Sequence, residues 1–190
     1  MSRAYRIKVK ESSHHVLRAS DHVSSQLEIL EILPPERMLD LLANELQKRG
    51  FQKDGEKLTR REKDGVLVEV DPATATVTVR VETEEAVTLA AEREGWSAAQ
   101  KGKQHDNDRD NLRKSLLQDL QRQADKKTAD LQKKVTDQLE GHLADIRKEL
   151  DQAVNRVTAD ALKEKAAQIG QIKEMSEDAQ TGSLTIVLEV

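Results

Sequence analysis

The chain has 190 residues, of which 36% are hydrophobic, 35% charged and 2% aromatic, and its formal net charge is -4. It contains no cysteine, so disulfides, thiolate catalysis and cysteine-based zinc sites are excluded. The acidic balance argues against nucleic acid as a partner, because phosphates favour a basic surface. No apolar run reaches the roughly 18 residues of a membrane span and the N-terminal residues lack a signal-peptide core, so the expected compartment is the cytoplasm.

Residues 1–83 are predicted to form a small α+β head. The head begins with a half-buried strand in which apolar side chains alternate with basic ones: Tyr5, Ile7 and Val9. The next stretch, "SSHHVLRASDHVSS", is rich in turn-forming residues and leaves room for a short strand at Val16 and Leu17. In "QLEILEIL" (Gln26 to Leu33) the apolar residues alternate loosely, which favours a strand over the alternative of a helix, and Pro34 ends it.

A helix and a strand pair complete the head. Residues 36–49 place apolar side chains at helical spacing, with Pro35 at the start and Gly50 at the end. Two runs of alternating valines follow, separated by the turn "DPAT": Val66, Val68 and Val70, then Val77, Val79 and Val81. The polar residues between the valines predict a small antiparallel sheet with one face in water and the other covered by the helix.

Residues 84–110 lack the alternating apolar pattern of the preceding strands. "EEAVTLAAEREGW" predicts a short helix, whereas "SAAQKGKQHDNDRDN" has almost nothing to bury and predicts a flexible connector. The acidic "DNDRDN" suits the N-terminus of a following helix. It also resembles a calcium loop, but Asn111 and Leu117 stand where such a loop needs glycine and glutamate, so no metal site is predicted. We expect Trp96 to pack where the connector meets the sheet; a surface anchor for a partner is the alternative.

A single amphipathic pattern extends over residues 111–180. Its apolar residues recur in rows eleven residues apart, for example Leu139, Leu150 and Ala161. Eleven residues make three turns at about 3.67 residues per turn, which keeps one apolar face in line along the helix. Some 65 residues of helix would be roughly 100 Å long. A single helix cannot hide so long an apolar face, here termed the stripe, from water. The pattern therefore predicts a helical coiled-coil rod or hairpin.

Two arrangements would cover the stripe. Either the helix is a continuous rod that packs against a second chain, or it folds on itself as a hairpin near Gly141. Residues 183–190, "SLTIVLEV", predict a C-terminal strand, which needs a sheet. A hairpin would return this strand to the sheet of its own head, whereas a continuous rod would carry it to the sheet of a partner.

We expect a non-enzymatic interaction, scaffold or adaptor protein, since no catalytic motif or cofactor site is recognisable. The expected mechanism is burial of the stripe on a copy of the chain or on another protein, with strand addition through the tail. The residues expected to carry it are Leu131, Val135, Leu139, His142, Ile146, Leu150, Val157, Ile186 and Leu188. Binding of the helix to a membrane surface is the alternative, although its charges are mixed and no aromatic residue follows Trp96.

Part of the head resembles a known family. The segments "ASDHVSSQLEILEILPPERMLDLLANELQKRGF" and "VLVEVDPATATVTVRVE" are similar to the N-terminal part of small, uncharacterised bacterial proteins linked to an FtsH-like AAA+ ternary system. The resemblance covers less than half of the chain and contains no catalytic motif. It implies a partner that is an AAA+ ATPase or a component acting beside one, and it transfers no functional residue.

Overall fold

The computed structural model describes residues 4–177 and 184–189, without the side chains of Glu177 and Leu188. The chain divides into two compact units. The first unit is built from Met1–Ser20 and Glu82–Thr136, and the second from Asp21–Val81 and Asp137–Val190.

The described residues combine strands and helices, so the predicted α+β class is confirmed. In chain order the elements are β1 (Tyr5–Gln26), α1 (Pro35–Lys48), β2 (Gln52–Asp54), β3 (Lys57–Arg61), β4 (Leu67–Asp71), β5 (Thr76–Ser97), α2 (Lys103–Ile169), β6 (Gln171–Glu177) and β7 (Leu184–Glu189). The strands form a five-stranded sheet in the order β1-β5-β4-β3-β2 and a separate two-stranded sheet of β6 and β7. Three elements, β1, β5 and α2, contribute residues to both units.

β1 and β5 are much longer than predicted. The turn-rich stretch before Gln26 continues β1, and the segment predicted as a short helix after residue 83 continues β5 as far as Ser97. In the first unit the two strands are antiparallel neighbours, since Arg6 pairs with Glu94 and Arg18 pairs with Glu84. The turn-forming residues therefore adopt extended backbone because a neighbouring strand supplies hydrogen bonds, which outweighs a weak local preference.

The interior of the first unit lies between this long strand pair and the N-terminal part of α2. Apolar strand residues pack against apolar helix residues in two clusters: Ile7 and Val9 with Leu116, and Leu89 with Leu120 and Ala124. Gly95 permits a close approach of β5 to α2, because a β-carbon there would lie 3.3 Å from Leu112 Cδ2. The part of the helical stripe in this unit is thus covered by strands of the same chain.

The valine strand pair is confirmed in the second unit. β4 and β5 are antiparallel, with Val68 opposite Val79 and Val70 opposite Val77. Ala75 in the connecting turn has a φ of 51°, in the left-handed region that a tight reversal requires. β2 and β3, whose short and charged sequences carry no strand pattern, extend the sheet on the far side of β4.

Of the two predictions for residues 26–49, the helix is confirmed and the strand before it is wrong. α1 agrees with the predicted helix at residues 36–49, buries Met38, Leu42 and Leu46, and contacts β3. The strand predicted for Gln26 to Leu33 is wrong, because β1 ends at Gln26 and residues 27–33 belong to no strand. Leu27 still donates a backbone hydrogen bond of 2.7 Å to the oxygen of Ala75, but the pairing stops there.

α2 is one uninterrupted helix from Lys103 to Ile169. Of the two predicted alternatives, the continuous helix is therefore confirmed and the hairpin near Gly141 is wrong. The helix also begins earlier than predicted, so that residues 103–110 of the expected connector are helical. In the second unit α2 lies against the sheet: Arg60 Nη1 of β3 is 2.6 Å from Glu149 Oε1, and α1 reaches the same helix through Arg37 and Glu164.

The covering of the stripe differs from the expectation. In the second unit its residues are buried within the chain itself: Leu139, Ile146, Leu150, Ala153, Val157 and Ala161. A second chain or a second helical arm is not required, because the apolar face of the sheet supplies the covering surface. The coiled-coil expectation is corrected accordingly: within each unit the eleven-residue pattern marks a helix that packs on strands.

The C-terminal strand predicted for residues 183–190 is present as β7, although Ser183 and Val190 lie outside the described residues. Its partner is β6, with Met175 opposite Ile186 and Ser176 opposite Thr185. The prediction that the long helix continues through residues 171–177 is wrong, because the helix ends at Ile169 and these residues form β6. The return of the tail strand to the sheet of its own head is therefore wrong, because β7 pairs with the segment that follows α2 directly. Pairing of this strand with a partner stays a prediction.

In the part of the chain that the structure describes, no helix combines the length and the apolar character needed to cross a membrane.

Candidate interaction site

The helix residues predicted to bind a partner lie in the interior. Six of them are at most 7% exposed: Leu131, Val135, Leu139, Ile146, Leu150 and Val157. Leu131 and Val135 belong to the first unit and the other four to the second. Because these side chains are buried within their own chain, the stripe has no free apolar face for a partner helix or for a membrane surface.

His142 is the remaining residue of α2 that was predicted to bind a partner. It is half-buried beside the turn between β3 and β4. Its Nε2 atom lies 3.3 Å from Oδ2 of Asp64 in that turn. One helical turn earlier, the side-chain amide of Gln138 donates a hydrogen bond of 2.7 Å to the backbone oxygen of Asp64. Both residues therefore hold α2 to the sheet of the second unit.

The β6–β7 hairpin has an apolar face that the described residues bury only in part. Side chains alternate between the two faces of a strand, so Leu184 and Ile186 share one face of β7. The register places Met175 opposite Ile186 on that face. Met175 is 49% exposed, and none of the described hairpin side chains is fully buried. Since an isolated two-stranded hairpin is only marginally stable in water, this face needs a covering surface.

The two free edges of the hairpin are protected to different degrees. Among the described residues each strand has a single neighbour, so each presents a row of unpaired backbone N–H and C=O groups. In β6 the register shifts between Ile172 and Glu174, and charges at Lys173 and Glu174 discourage further pairing. β7 is regular and carries no charge from Leu184 to Leu188. The free edge of β7, here termed the β7 edge, is therefore the candidate interaction site.

The β6–β7 hairpin has a net negative charge. The sequences of β6 and β7 contain three glutamates and one lysine. The lysine is already paired, since Lys173 Nζ lies 2.8 Å from Glu189 Oε1. Anionic membrane lipids attract basic segments, so this surface favours a protein partner over a membrane surface.

Trp96, near the end of β5, is 69% exposed. The prediction that it packs against the sheet is therefore wrong. Its neighbour Ser97 is buried instead, and the Ser97 hydroxyl donates a hydrogen bond of 2.7 Å to Oδ2 of Asp108 in α2. The acidic "DNDRDN" thus lies inside the first turns of α2. Within residues 4–177 and 184–189, no three histidine, aspartate or glutamate side chains come together as a metal site.

Removing the hairpin should leave the rest of the chain folded. A chain that ends at Gly170 loses no fully buried side chain of the described hairpin. We therefore expect its free energy of unfolding to change by less than about 1 kcal/mol. Urea denaturation followed by helical circular dichroism measures this, with the full chain as the reference. A shortened chain that no longer folds would place the hairpin in the core.

Sequence reasoning found β7 and missed β6. β7 is recognisable because it is a run of apolar and β-branched residues. β6 is not, because Ile172 falls in one of the eleven-residue rows and the segment therefore fits the helical pattern. Two local signals pointed to the strand. Gly170 is a typical helix end, and the sequence "DAQTGS" between the two strands is rich in turn formers.

Comparison with known proteins identifies one family. The family model described as FtsH ternary system domain X5 matches residues 1–190. The match includes both head segments that carry the resemblance found in the sequence, and it extends over the long helix and the hairpin. No curated protein matches the chain, and no solved structure matches it.

Proposed function

Because this chain belongs to the family FtsH ternary system domain X5, we propose that it is a non-enzymatic interaction component of an AAA+ protease-linked system. In this role it binds another protein of the system in the cytoplasm, and the contact is made by the β7 edge. The partner contributes an extended segment that adds to β7 as a third strand, and a neighbouring part of the same partner covers the apolar face of the hairpin.

The observation that carries this proposal is the unprotected β7 edge. It combines unpaired backbone groups, an uncharged sequence from Leu184 to Leu188 and an adjoining apolar face with Met175 and Ile186. Exposed regular edges are templates for pairing with another chain, and proteins usually block them unless they are used. A lipid surface cannot pair with these backbone groups, so the occupant is a polypeptide.

The family description favours a partner other than a second copy. The description names a ternary system, so the other proteins of that system are candidate partners for the β7 edge.

A single substitution in the middle of β7 tests the proposal. Val187 is 44% exposed, so Val187→Lys adds an edge-blocking charge without removing a buried group. We expect Val187→Lys to weaken binding to the partner by about tenfold or more, and the matched control Val187→Thr by less than about threefold. The measurement is the Kd for the purified AAA+ protease and for the purified third component, by biolayer interferometry.

Two results would overturn the proposal. One is that neither component binds the wild-type chain. The other is that Val187→Lys binds as tightly as the wild type while both variants remain folded. Self-association that Val187→Lys abolishes, with no binding to either component, would assign the β7 edge to a second copy of the chain.

A further inference from the structure

A groove in the second unit, here termed the β1 groove, lies between the C-terminal end of β1 and α2 and has a volume of about 650 Å³. Val77 and Val79 of β5 and Ile146 and Leu150 of α2 line it, and all four side chains are buried. This volume falls within the usual range of ligand sites, and an apolar floor is typical of them.

One wall of this β1 groove is a strand edge. β1 is the terminal strand of the five-stranded sheet, so one of its edges has no strand partner among the described residues. On its other side β1 is paired, since the hydroxyls of Ser24 and Thr78 are 2.9 Å apart. Residues 22–26 are all exposed. The backbone groups on the outer side of these residues are therefore available to a further strand.

The apolar face of the sheet extends onto this edge. In β1 the odd-numbered residues face the helix, as the buried Leu17 and Ala19 show for the first unit. By the same alternation Val23 and Ser25 face α2 in the second unit, and both line the groove. Val23 is 42% exposed, so its apolar side chain lacks the covering that the floor has.

The helical wall offers one charge of each sign. Arg147 and Asp151 line the groove one turn apart on α2, and both are exposed. The same i,i+4 spacing forms an ion pair further along, where Arg156 Nε is 3.7 Å from Asp160 Oδ1. Arg147 and Asp151 take part in none of the ion pairs or side-chain hydrogen bonds found among the described residues. Both charges are therefore free to pair with a ligand.

We propose that the β1 groove binds an extended peptide segment of a partner protein, which pairs with the free edge of β1 and sets an acidic and a basic side chain, two residues apart, against Arg147 and Asp151. The spacing supports this occupant. Four residues of helix advance about 6 Å, and two residues of strand advance about 6.6 Å. Alternate side chains of an added strand thus match the two charges, while apolar neighbours on the same face reach Val23 and the floor.

This inference goes beyond the proposed function, because it uses residues 21–28 and 143–155 and no part of β6 or β7. The two sites also select different ligands. The β7 edge is uncharged from Leu184 to Leu188, whereas the β1 groove presents a pair of opposite charges. A peptide that carries both charges on one face is therefore expected to bind the β1 groove in preference to the β7 edge.

The probe is a fluorescein-labelled peptide, acetyl-TVTETKTVT-amide, titrated with the full chain in fluorescence anisotropy. Its glutamate and lysine are two residues apart on the face that carries the valines. The control peptide, acetyl-TVETTTKVT-amide, has the same composition but carries both charges on the opposite face. We expect saturable binding of the probe and binding of the control that is weaker by about fivefold or more.

Matched variants of the chain test the helical wall. Arg147→Glu should weaken binding of the probe by about fivefold or more, because it repels the glutamate that Arg147 attracts. Lys148→Glu makes the same charge change at an exposed position next in the chain that does not line the groove, and should change binding by less than about twofold. Both variants alter exposed side chains, so helical circular dichroism should remain that of the wild type.

Backbone amide NMR shifts of the full chain locate the peptide. Shifts at residues 21–28 and 143–155 support the inference. Shifts confined to 184–189 overturn it and assign the peptide to the β7 edge. Absence of saturable binding, equal binding of both peptides, or equal binding by Arg147→Glu and Lys148→Glu also overturns it. Concentration-dependent shifts at 21–28 without peptide would make the groove a self-interface and overturn it as well.

Discussion

Leu139→Ala combined with Leu150→Ala should lower the free energy of unfolding by about 4–8 kcal/mol, which approaches the total stability of a typical domain. Both side chains are buried on the helical face in the second unit, at 2% and 4% exposure. Each truncation removes apolar contacts and leaves a cavity, and the two residues are eleven positions apart on a helix, so the effects should add. The loss therefore concerns folding of the chain itself, not the strength of an assembly.

Urea denaturation followed by helical circular dichroism measures this loss. Leu117→Ala and Leu162→Ala, at positions of α2 that are about 40% exposed, are the matched controls and should each change stability by less than about 1 kcal/mol. Sedimentation velocity on the same samples separates folding from association. If the double variant unfolds at the wild-type urea concentration and only its oligomeric state changes, the stripe is an intermolecular seam after all.

Arg60→Met should be the most destabilising single charge removal in the second unit, at about 2–3 kcal/mol. Arg60 of β3 binds Glu149 of α2 through two parallel hydrogen bonds of 2.6 and 2.7 Å and donates a third, of 2.9 Å, to the backbone oxygen of Arg49. Its guanidinium also lies 4.6 Å from the centroid of the Phe51 ring. Methionine keeps the aliphatic packing but leaves the partly buried Glu149 carboxylate without its main partner.

The matched control is Arg18→Met. Arg18 Nε also lies 2.8 Å from a glutamate oxygen, of Glu84, but both side chains are largely in water. Exposed ion pairs are screened and contribute little, so this variant should lose less than about 1 kcal/mol. Equal losses for Arg60→Met and Arg18→Met would show that the Arg60–Glu149 pair does not hold the sheet to the helix.

The same ion pair should make stability depend on pH below neutrality. The hydrogen bond from Arg60 holds the pKa of Glu149 below its usual value of 4.5, with partial burial acting in the opposite direction. A carboxyl whose pKa is lowered on folding stabilises the folded state above the unfolded pKa, and this contribution is lost as pH falls through the folded pKa. The difference in stability between wild type and Arg60→Met should therefore be full at pH 7 and shrink once the pH falls below 4.5. A difference that stays constant on acidification would contradict the pairing.

Local patterns by themselves determined several elements of this chain. The alternating valines of β4 and β5 specify a strand pair because one face is apolar and the other polar, and the "DPAT" turn reverses the chain between them. The helical spacing after Pro35 specifies α1 for a similar reason. The eleven-residue rows specify that α2 is a helix, and their unbroken phase through Gly141 agrees with its continuity. In each case the information lies in the spacing of residues along one segment of the chain.

Only the tertiary structure decided what covers the stripe and how far the strands run. Leu139 and Leu150 have the same spacing whether they face a second helix, a membrane or a sheet, because burial of apolar area has no direction. The long extensions of β1 and β5 depend on each other, as the pairing of Arg18 with Glu84 shows, and neither segment has a strand pattern alone. The β1 groove likewise exists only because residues more than a hundred positions apart, such as Val23 and Ile146, line one surface. These features arise from contacts between residues far apart in the sequence. The free energy of such contacts exceeds that of the local secondary-structure propensities, which are all that a short stretch of sequence shows.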